Sequence, residues 1–199
     1  MEPMWLSEHV ASLAEKLGNK PYAYMGQIHS DVVKVVIEPG YYDDCDAIIS
    51  TVPDLILFAQ FADCVPIYVY DIKKPHYAII HSGWRGTKEN IVTKVLRQLI
   101  QLGSVAEDLF VVIGPCISQK NYEVGKEFKE LFSESYIIED KGRLYLNLKQ
   151  CVFDQAHSII EKEHIFLDKR CTYSDPRLHS YRRDGKQAKR NIGFILYET

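Results

Sequence analysis

Residues 77–113 carry the strongest structural pattern of this chain, YAIIHSGWRGTKENIVTKVLRQLIQLGSVAEDLFVVI. The stretch opens with the apolar run 77–80 and closes with the apolar run 109–113, and both runs are typical of buried strands. Between them, apolar residues follow helical spacing at positions 91, 92, 95, 96, 99 and 100. Thr87 precedes this helix and Gly103 ends it. A strand, a helix and a second strand in this order normally form a right-handed parallel crossover, so the stretch predicts an α/β core.

Outside this stretch, the same two periodicities alternate along the chain. Runs typical of strands occupy residues 32–37, 47–50, 55–58, 66–70, 144–148 and 193–197. Helical spacing occurs at residues 7–17, 122–132 and 151–160. A length of 199 residues favours one domain over two. We therefore predict that residues 1–199 form a single compact domain of mixed α/β (α+β) class, with a mixed β-sheet flanked by helices.

Charge and cysteine content indicate which partners and which cellular compartment to expect for this protein. The net charge of −3 is small, and the Lys and Arg residues are scattered apart from a cluster within residues 182–190, which does not predict a general nucleic-acid surface. Five cysteines at irregular spacing, in a chain too large to need disulfides, are typical of reduced thiols in a cytoplasm. The sequence shows neither the apolar core of a signal peptide nor a run of about 18 apolar residues that could span a membrane. We expect a soluble, cytoplasmic protein with no nucleic-acid or membrane partner, and no motif predicts its oligomeric state.

Two histidines and one cysteine at predicted strand ends offer metal-ligand chemistry. His29 follows Gln-Ile, Cys64 lies in Ala-Asp-Cys-Val-Pro, and His81 opens His-Ser-Gly-Trp-Arg-Gly. Such a set can hold zinc and leave a fourth position for water or substrate, and it is also the basic ligand set of a blue-copper site. Cys64 lies 35 residues after His29, and His81 lies 17 residues after Cys64, so only the fold could bring the three together. Spacing alone leaves open a second interpretation, in which the histidines are merely hydrogen-bonded and the cysteine is a small buried residue.

Three further residues are candidates for substrate chemistry. Arg85 lies in a glycine-punctuated turn that opens a helix, where a guanidinium and free backbone N–H groups suit phosphate or a carboxylate. Asp63 is a tentative catalytic residue that could carry a proton, and its alternative role is that of a turn acceptor. Cys116 is a tentative substrate-binding residue, and its alternative role is that of a buried cysteine. The basic cluster could also reach a phosphate, although charge runs usually form a solvated face. The cluster comprises Arg182, Arg183, Lys186, Lys189 and Arg190.

Six motifs in a fixed order give these residues a family context. They are Gln-x-His at 27–29, Ala-Asp-Cys-x-Pro at 62–66, His-x-Gly-Trp-Arg-Gly at 81–86, Gly-Pro-Cys-Ile at 114–117, Tyr-Glu-Val-Gly at 122–125 and Ser-Tyr-Arg-Arg-Asp-Gly at 180–185. Their order and spacing resemble the YfiH-type laccase-domain family over nearly the whole chain from Gln27 onward. The resemblance implies that His29, Cys64 and His81 are the ligands of a metal ion.

The resemblance brings two descriptions of activity with it. The family is described both as multicopper polyphenol oxidoreductases and as zinc-dependent enzymes that deaminate adenosine and split purine nucleosides with phosphate. An ordinary multicopper oxidase needs many histidines, often in His-x-His pairs, whereas this chain has seven histidines and no such pair. The resemblance therefore favours zinc-dependent phosphorolysis of adenosine, inosine or methylthioadenosine, together with deamination of adenosine by metal-activated water. The implied partners are purine nucleosides and phosphate; the alternatives are a copper-dependent polyphenol oxidase and a non-catalytic metal or nucleotide binding module.

The sequence departs from the family pattern in two places. Family members usually begin with an additional β segment that carries Arg-x-Gly-Gly-x-Ser, whereas the first predicted helix here lies close to residue 1. If that segment helps to form the substrate pocket, we expect this N-terminally shortened domain to keep metal binding while its substrate range changes or its activity falls. Asn121 stands where family members often have cysteine. The His-x-Glu and Pro-Cys-x-x-Cys signature of zinc deaminases is absent from the chain, so deaminase activity would have a separate structural origin.

Overall fold

The structure, a computed structural model, describes residues 4–198. The helices in this part of the chain are α1 (Met4–Lys16), α2 (Trp84–Lys88), α3 (Ile91–Gln101), α4 (Phe128–Leu131), α5 (Leu148–His157) and α6 (Tyr181–Asp184). The strands are β1 (Tyr22–Met25), β2 (Val33–Val36), β3 (Gly40–Tyr42), β4 (Ala47–Ser50), β5 (Ile56–Phe61), β6 (Val65–Asp71), β7 (Tyr77–Ser82), β8 (Leu109–Ile113), β9 (Glu123–Val124), β10 (Ile137–Asp140), β11 (Arg143–Leu146), β12 (Ile165–Leu167) and β13 (Asn191–Ile195). Among these described helices, none has the length and apolar character that a membrane span requires.

The strands form three sheets. A six-stranded sheet has the order β12-β8-β6-β7-β4-β2, a four-stranded sheet has the order β13-β5-β1-β3, and β10, β11 and β9 form a small third sheet. Both larger sheets contain parallel and antiparallel pairs. The predicted fold class, mixed α/β with mixed sheet flanked by helices, is thus confirmed, and the sheet content is divided between two packed sheets and a small third one.

The two larger sheets and the helices stack in four layers. Helices α3 and α5 cover one face of the six-stranded sheet, where five of the six apolar positions predicted for α3 are buried and Ile100 is 37% exposed. The opposite face of this sheet packs on the four-stranded sheet, where Ile48 and Ile79 share a core with Met25 and Leu57. Helix α1 covers the far side of the four-stranded sheet. Each sheet face is therefore buried against a neighbouring layer, as a hydrophobic face requires.

The strand, helix and strand predicted for residues 77–113 are confirmed as β7, α3 and β8. Both β7 and β8 pair antiparallel with β6, so they run parallel to each other with β6 between them. The crossover through α3 therefore passes over one intervening strand. Lys94 and Arg97 lie on the exposed side of α3, while Val95 and Leu96 are buried, which is the pattern that the apolar spacing predicted.

The helix predicted over residues 122–132 is wrong. This segment begins with β9, in which Val124 pairs with Leu144 of β11, and only residues 128–131 form a short helix, α4. The apolar spacing in this segment is real, because Tyr122, Val124 and Phe128 all pack against the main core. Pairing with a distant strand has overridden the local helical pattern.

The topology of the four-stranded sheet brings three chain connections to one edge. β1 pairs parallel with both β3 and β5, so the carboxyl ends of the three strands point the same way. Each of these strands is followed by a short connection into the six-stranded sheet. The connections are residues 26–32 after β1, residues 43–46 after β3 and residues 62–64 after β5. Side chains on the three connections therefore meet at the open edge between the two sheets.

Candidate functional site

The three connections between the sheets supply most of the candidate site. His29 lies on the connection after β1, and Cys64 lies on the connection after β5. His81 lies near the end of β7, where it is paired with Pro66, two residues beyond Cys64. Ligand-type groups separated along the sequence are therefore side by side because of strand order and register.

The structure brings together the three predicted metal ligands. One ligand atom from each of His29, Cys64 and His81 lies within 4.8 Å of the others. The two imidazole rings are 4.9 Å apart between centroids and nearly perpendicular, with an interplanar angle of 84°. His81 is buried, Cys64 is partly exposed and His29 is exposed. The cluster is thus anchored in the protein on one side and accessible on the other.

Asp46 organises this cluster, and sequence reasoning did not identify it. Its carboxylate is fully buried on the connection after β3. Oδ1 accepts hydrogen bonds from Nδ1 of His81 at 2.8 Å and from the backbone N–H of His29 at 3.0 Å. Oδ2 accepts from the Ser30 backbone at 2.5 Å, the Ser30 hydroxyl at 2.7 Å and the Ile28 backbone at 3.3 Å. Burial alone would raise the pKa of this carboxyl, but the bonds and charge of His81 and the bonds of Ser30 lower it below its ordinary value.

Two glycines allow the His29 loop to approach the turn after β7. A Cβ atom on Gly83 would lie 3.1 Å from Cδ2 of His29 and 3.2 Å from Sγ of Cys64. A Cβ atom on Gly86 would lie 2.6 Å from the carbonyl oxygen of Ser30, a backbone atom that cannot rotate away. The glycines of the His-x-Gly-Trp-Arg-Gly motif therefore serve close packing around the cluster.

The electrostatics of the cluster favour a thiolate beside a charged imidazole. Desolvation would raise the pKa of the Cys64 thiol, but the charge of His81 and hydrogen bonds from both histidines lower it to about 6. Desolvation would likewise lower the pKa of His81, but Cys64 and Asp46 raise it to about 9. Near neutral pH the cysteine is therefore already in the anionic form that binds metals.

The residues present fit a metal ion that takes nitrogen and sulfur ligands. Cys64 offers a thiolate, and the bond from Nδ1 of His81 to Asp46 leaves Nε2 of that ring available. A carboxylate that orients a ligating histidine in this way is the usual support of such sites. Three protein ligands beside an open cleft correspond to the ligand count of a catalytic rather than a structural zinc site.

Metal affinity is expected to rise with pH. Between about pH 6, near the pKa of Cys64, and about pH 9, near that of His81, the thiolate exists but His81 must still lose its proton. Release of one proton per ion predicts a rise in affinity of about tenfold per pH unit in this window. Above this pH range His81 is already neutral, so metal affinity should change less with pH. Below the range the Cys64 thiol must also ionise, so metal affinity should change more steeply with pH. Chelator competition across this range measures the slope, and a pH-independent affinity would contradict the prediction.

A cleft of about 500 Å³ adjoins the cluster. Its walls include three aromatic side chains and three arginines, namely Trp84, Tyr122, Tyr181, Arg85, Arg182 and Arg190. Arg85 stacks over the Trp84 ring at 4.6 Å, and Arg182 stacks over the Tyr122 ring at 5.3 Å. Volumes of this size are typical of pockets for small molecules. Planar surfaces and cations therefore stand together beside the three candidate ligands.

Asp63 lines this cleft but is already engaged with the protein. It has a left-handed backbone, with φ of 85°. Its Oδ1 accepts from the Thr172 hydroxyl at 2.6 Å, and its Oδ2 accepts from the Arg182 backbone at 2.6 Å, at the start of α6. The carboxylate therefore ties α6 and the segment before it to the connection that carries Cys64.

The other candidates are distributed differently. Arg85 is exposed on the cleft wall. Cys116 is fully buried in the main core, where burial raises the pKa of its thiol to about 12, and the structure does not bring it into the cleft. In the basic cluster, Arg182 and Arg190 line the cleft, whereas Arg183 donates to the carbonyls of Thr172 and Leu178 and to Asp184.

Comparison with known proteins places the chain in a family. A family model described as multi-copper polyphenol oxidoreductase laccase matches residues 3–198. A Borreliella burgdorferi protein named purine nucleoside phosphorylase is 34% identical over 175 residues, which are 83% of this chain and 75% of that protein. A Mycobacterium bovis protein, also named purine nucleoside phosphorylase, is 30% identical over 191 residues, which are 92% of this chain and 76% of that protein.

Solved structures show the same architecture. YfiH from Bacillus licheniformis, a hypothetical protein, superposes with a TM-score of 0.87 at 25% identity and covers 94% of this chain and 79% of its own. YlmD from Geobacillus stearothermophilus superposes with a TM-score of 0.86 at 26% identity and covers 94% of this chain and 78% of its own. This chain belongs to the multi-copper polyphenol oxidoreductase laccase family, the YfiH-type laccase-domain family that its motifs resemble.

Proposed function

We propose that this chain is a zinc-dependent purine nucleoside phosphorylase that cleaves adenosine, inosine or methylthioadenosine and also deaminates adenosine. The observation that carries the proposal is the convergence of His29, Cys64 and His81 on a cleft lined by arginines and aromatic rings. The names of the Borreliella and Mycobacterium relatives support the choice of purine nucleosides and phosphate as substrates.

The cleft wall suits a purine ring. Trp84, Tyr122 and Tyr181 present aromatic surface on which a planar base can stack. Gln60 also lines the cleft, and its buried Oε1 has no hydrogen-bond partner among the described residues. The side chain of Gln27 holds the Gln60 backbone through two bonds of 2.8 and 2.9 Å. With its backbone held in this way, the Gln60 side chain can turn its unpartnered oxygen toward an N–H or O–H group of the nucleoside.

Arg85 is the proposed phosphate-binding residue. Within residues 4–198 its guanidinium has no hydrogen-bond or ion-pair partner and stacks on the Trp84 ring. Arg182, by contrast, already donates to the Glu123 carbonyl at 2.9 Å, and Arg190 donates to the Ala188 carbonyl at 2.8 Å. The fork of donors on Arg85 therefore remains available for two phosphate oxygens. Cys116 does not line the cleft, so its proposed part in substrate binding is limited to buried packing in the segment whose Ile117 N–H donates to the Asp63 carbonyl.

The chain's own groups would act on the substrate by orientation and proton transfer. In phosphorolysis a phosphate oxygen forms a bond to C1′ of the ribose while the bond from C1′ to the base nitrogen breaks, and the base leaves with a proton. Asp63 is our proposed proton carrier, because each of its oxygens keeps a second lone pair beyond the bonds to Thr172 and Arg182. In deamination, water oxygen would form a bond to C6 while the bond from C6 to the amino nitrogen breaks and ammonia leaves. When bound, zinc would supply Lewis-acid stabilisation of negative charge in both reactions.

The family description also names a phenol oxidase, which is the second candidate function. Within residues 4–198, His29, Cys64 and His81 are the one group of three or more histidine, cysteine or acidic side chains with metal-binding geometry. Four-electron reduction of oxygen would need further redox centres. One group of candidate metal ligands within residues 4–198 therefore favours purine chemistry over oxidation of phenols by oxygen. A non-catalytic module that binds metal or nucleotide is the third possibility, and the same experiment distinguishes all three.

The test is incubation of zinc-loaded protein with adenosine and with inosine, each with and without phosphate, followed by chromatography of the bases and nucleosides. We expect phosphate-dependent adenine and hypoxanthine, and phosphate-independent inosine from adenosine. The products should vanish in His29→Ala and persist in His157→Ala, which removes another exposed histidine, on α5 and away from the cleft. Oxygen uptake with a phenol by copper-loaded protein would support the oxidase instead. A nucleoside-dependent thermal shift without product would support the binding module.

A further inference from the structure

We propose that Asp46 is the positioning residue of the metal centre and that it fixes His29 and His81 together. The inference rests on the metal centre of the proposed function and goes beyond it, because Asp46 lies outside the six motifs of the sequence. One buried carboxylate oxygen, Oδ1, accepts a hydrogen bond from the ring of His81 and another from the backbone of His29. Two of the three ligands are thus held by a single atom.

The His81 bond determines which ring nitrogen faces the cluster. A carboxylate has no proton to donate, so Nδ1 of His81 must carry the proton in the 2.8 Å bond to Asp46. The lone pair available to a metal then lies on Nε2. The backbone N–H of His81 also donates to the Asp46 carbonyl at 2.7 Å, which fixes the main chain as well as the ring.

The His29 bonds hold an exposed loop in a constrained shape. His29 has a left-handed backbone, with φ of 61°, on a surface connection where other conformations are accessible. Three consecutive N–H groups, from Ile28, His29 and Ser30, converge on the Asp46 carboxylate, and the Ser30 hydroxyl joins them. The loop therefore folds around a negative charge that belongs to the protein, and this charge directs His29 toward Cys64.

Asp46→Asn tests the hydrogen-bonding role of the side chain apart from its packing. The substitution preserves the side-chain volume and replaces one acceptor oxygen of the carboxylate with an NH₂ donor. Three donors face Oδ2 and two face Oδ1, so the asparagine oxygen should take the Oδ2 position and its NH₂ should face His81. Nδ1 of His81 must then accept, and the ring proton moves to Nε2, the atom needed for the metal. We expect zinc affinity, measured by chelator competition, to fall about 10- to 100-fold. The cobalt-substituted variant should also lose the thiolate-to-cobalt absorption of wild type at equal metal concentration.

Asp44→Asn is the matched control, since it makes the same substitution two residues away, at an exposed side chain whose left-handed backbone, with φ of 44°, asparagine also adopts. Its zinc affinity should remain near that of wild type. A second measurement needs no variant: nitrogen-resolved NMR of zinc-loaded wild-type protein should show a proton on Nδ1 of His81. Wild-type zinc affinity in Asp46→Asn, or an unprotonated Nδ1 in the wild type, would overturn the proposal. Neither measurement uses a nucleoside. The role of Asp46 can therefore be supported or overturned whether or not the protein has the proposed enzymatic activity.

Discussion

Replacement of Cys64 by alanine is expected to remove the bound metal and to lower kcat/KM for phosphorolysis by about 1000-fold or more, equivalent to about 4 kcal/mol of transition-state stabilisation. Cys64 is the one sulfur ligand of the cluster and, with a thiol pKa near 6, its one anionic ligand at neutral pH. Two imidazoles alone, one of them on an exposed loop, would hold a divalent ion weakly. Metal content after dialysis, together with steady-state kinetics, measures both losses.

Cys171→Ser is the matched control for this experiment. Hydrogen bonds from Ser118 and Asn121 outweigh desolvation and lower the pKa of the Cys171 thiol to about 6 as well, but its side chain does not line the cleft. A thiolate of similar acidity is thus available outside the cluster. If Cys171→Ser lost as much metal and activity as Cys64→Ala, the thiolate ligand would have been assigned to the wrong residue.

Replacement of Gly86 by alanine is expected to have the second largest effect. The added Cβ would lie 2.6 Å from the Ser30 carbonyl oxygen, so either α2 or the His29 loop must move. Because ligand geometry tolerates only a few tenths of an ångström, a shift approaching 1 Å should lower kcat/KM about 100-fold. The strain should also reduce the free energy of unfolding by about 1–3 kcal/mol, which urea denaturation measures.

Two further variants serve as comparisons for Gly86→Ala. Lys88→Ala, on the exposed side of the same helix, should change neither quantity appreciably. Gly83→Ala should be milder than Gly86→Ala in stability, because its contacts of 3.1 and 3.2 Å are to side-chain atoms that can yield slightly. An unaltered activity in Gly86→Ala would show that the His29 loop moves freely without consequence for catalysis.

Sequence periodicity predicted the central unit of the fold well, because α3 and its two flanking strands bury continuous apolar faces. It could not predict how strands would be shared between two sheets, since a strand buried on both faces has the same apolar pattern in either sheet. The four-stranded sheet also uses short strands such as β3, whose three residues are only half-buried. Such a strand exists because β1 pairs with it, not because of its own composition.

The metal ligands could be predicted from motifs, but their organising carboxylate could not. Asp43, Asp44 and Asp46 stand within four residues, and the first two are exposed while the third is fully buried. Nothing local distinguishes them; their difference arises where the connection after β3 meets those after β1 and β5. The cysteines show the same limit. Cys64 and Cys116 both follow strands in short turns, yet one reaches the cleft and the other lies in the core.

The position of β13 has a consequence for the order in which this centre can be assembled. β13 (Asn191–Ile195) pairs with β5, the strand that leads to Cys64, and so completes the sheet from the far end of the described chain. A ribosome that has synthesised the residues up to His81 has made all three ligands, but the sheet that holds them in register is still missing a strand. The contacts that hold the three ligands in place therefore join residues that are far apart in the sequence, and such contacts form slowly during folding. Unlike a finger domain, whose ligands lie in one short segment that the metal folds, a centre built in this way depends on a sheet that is complete only when the last described strand is in place.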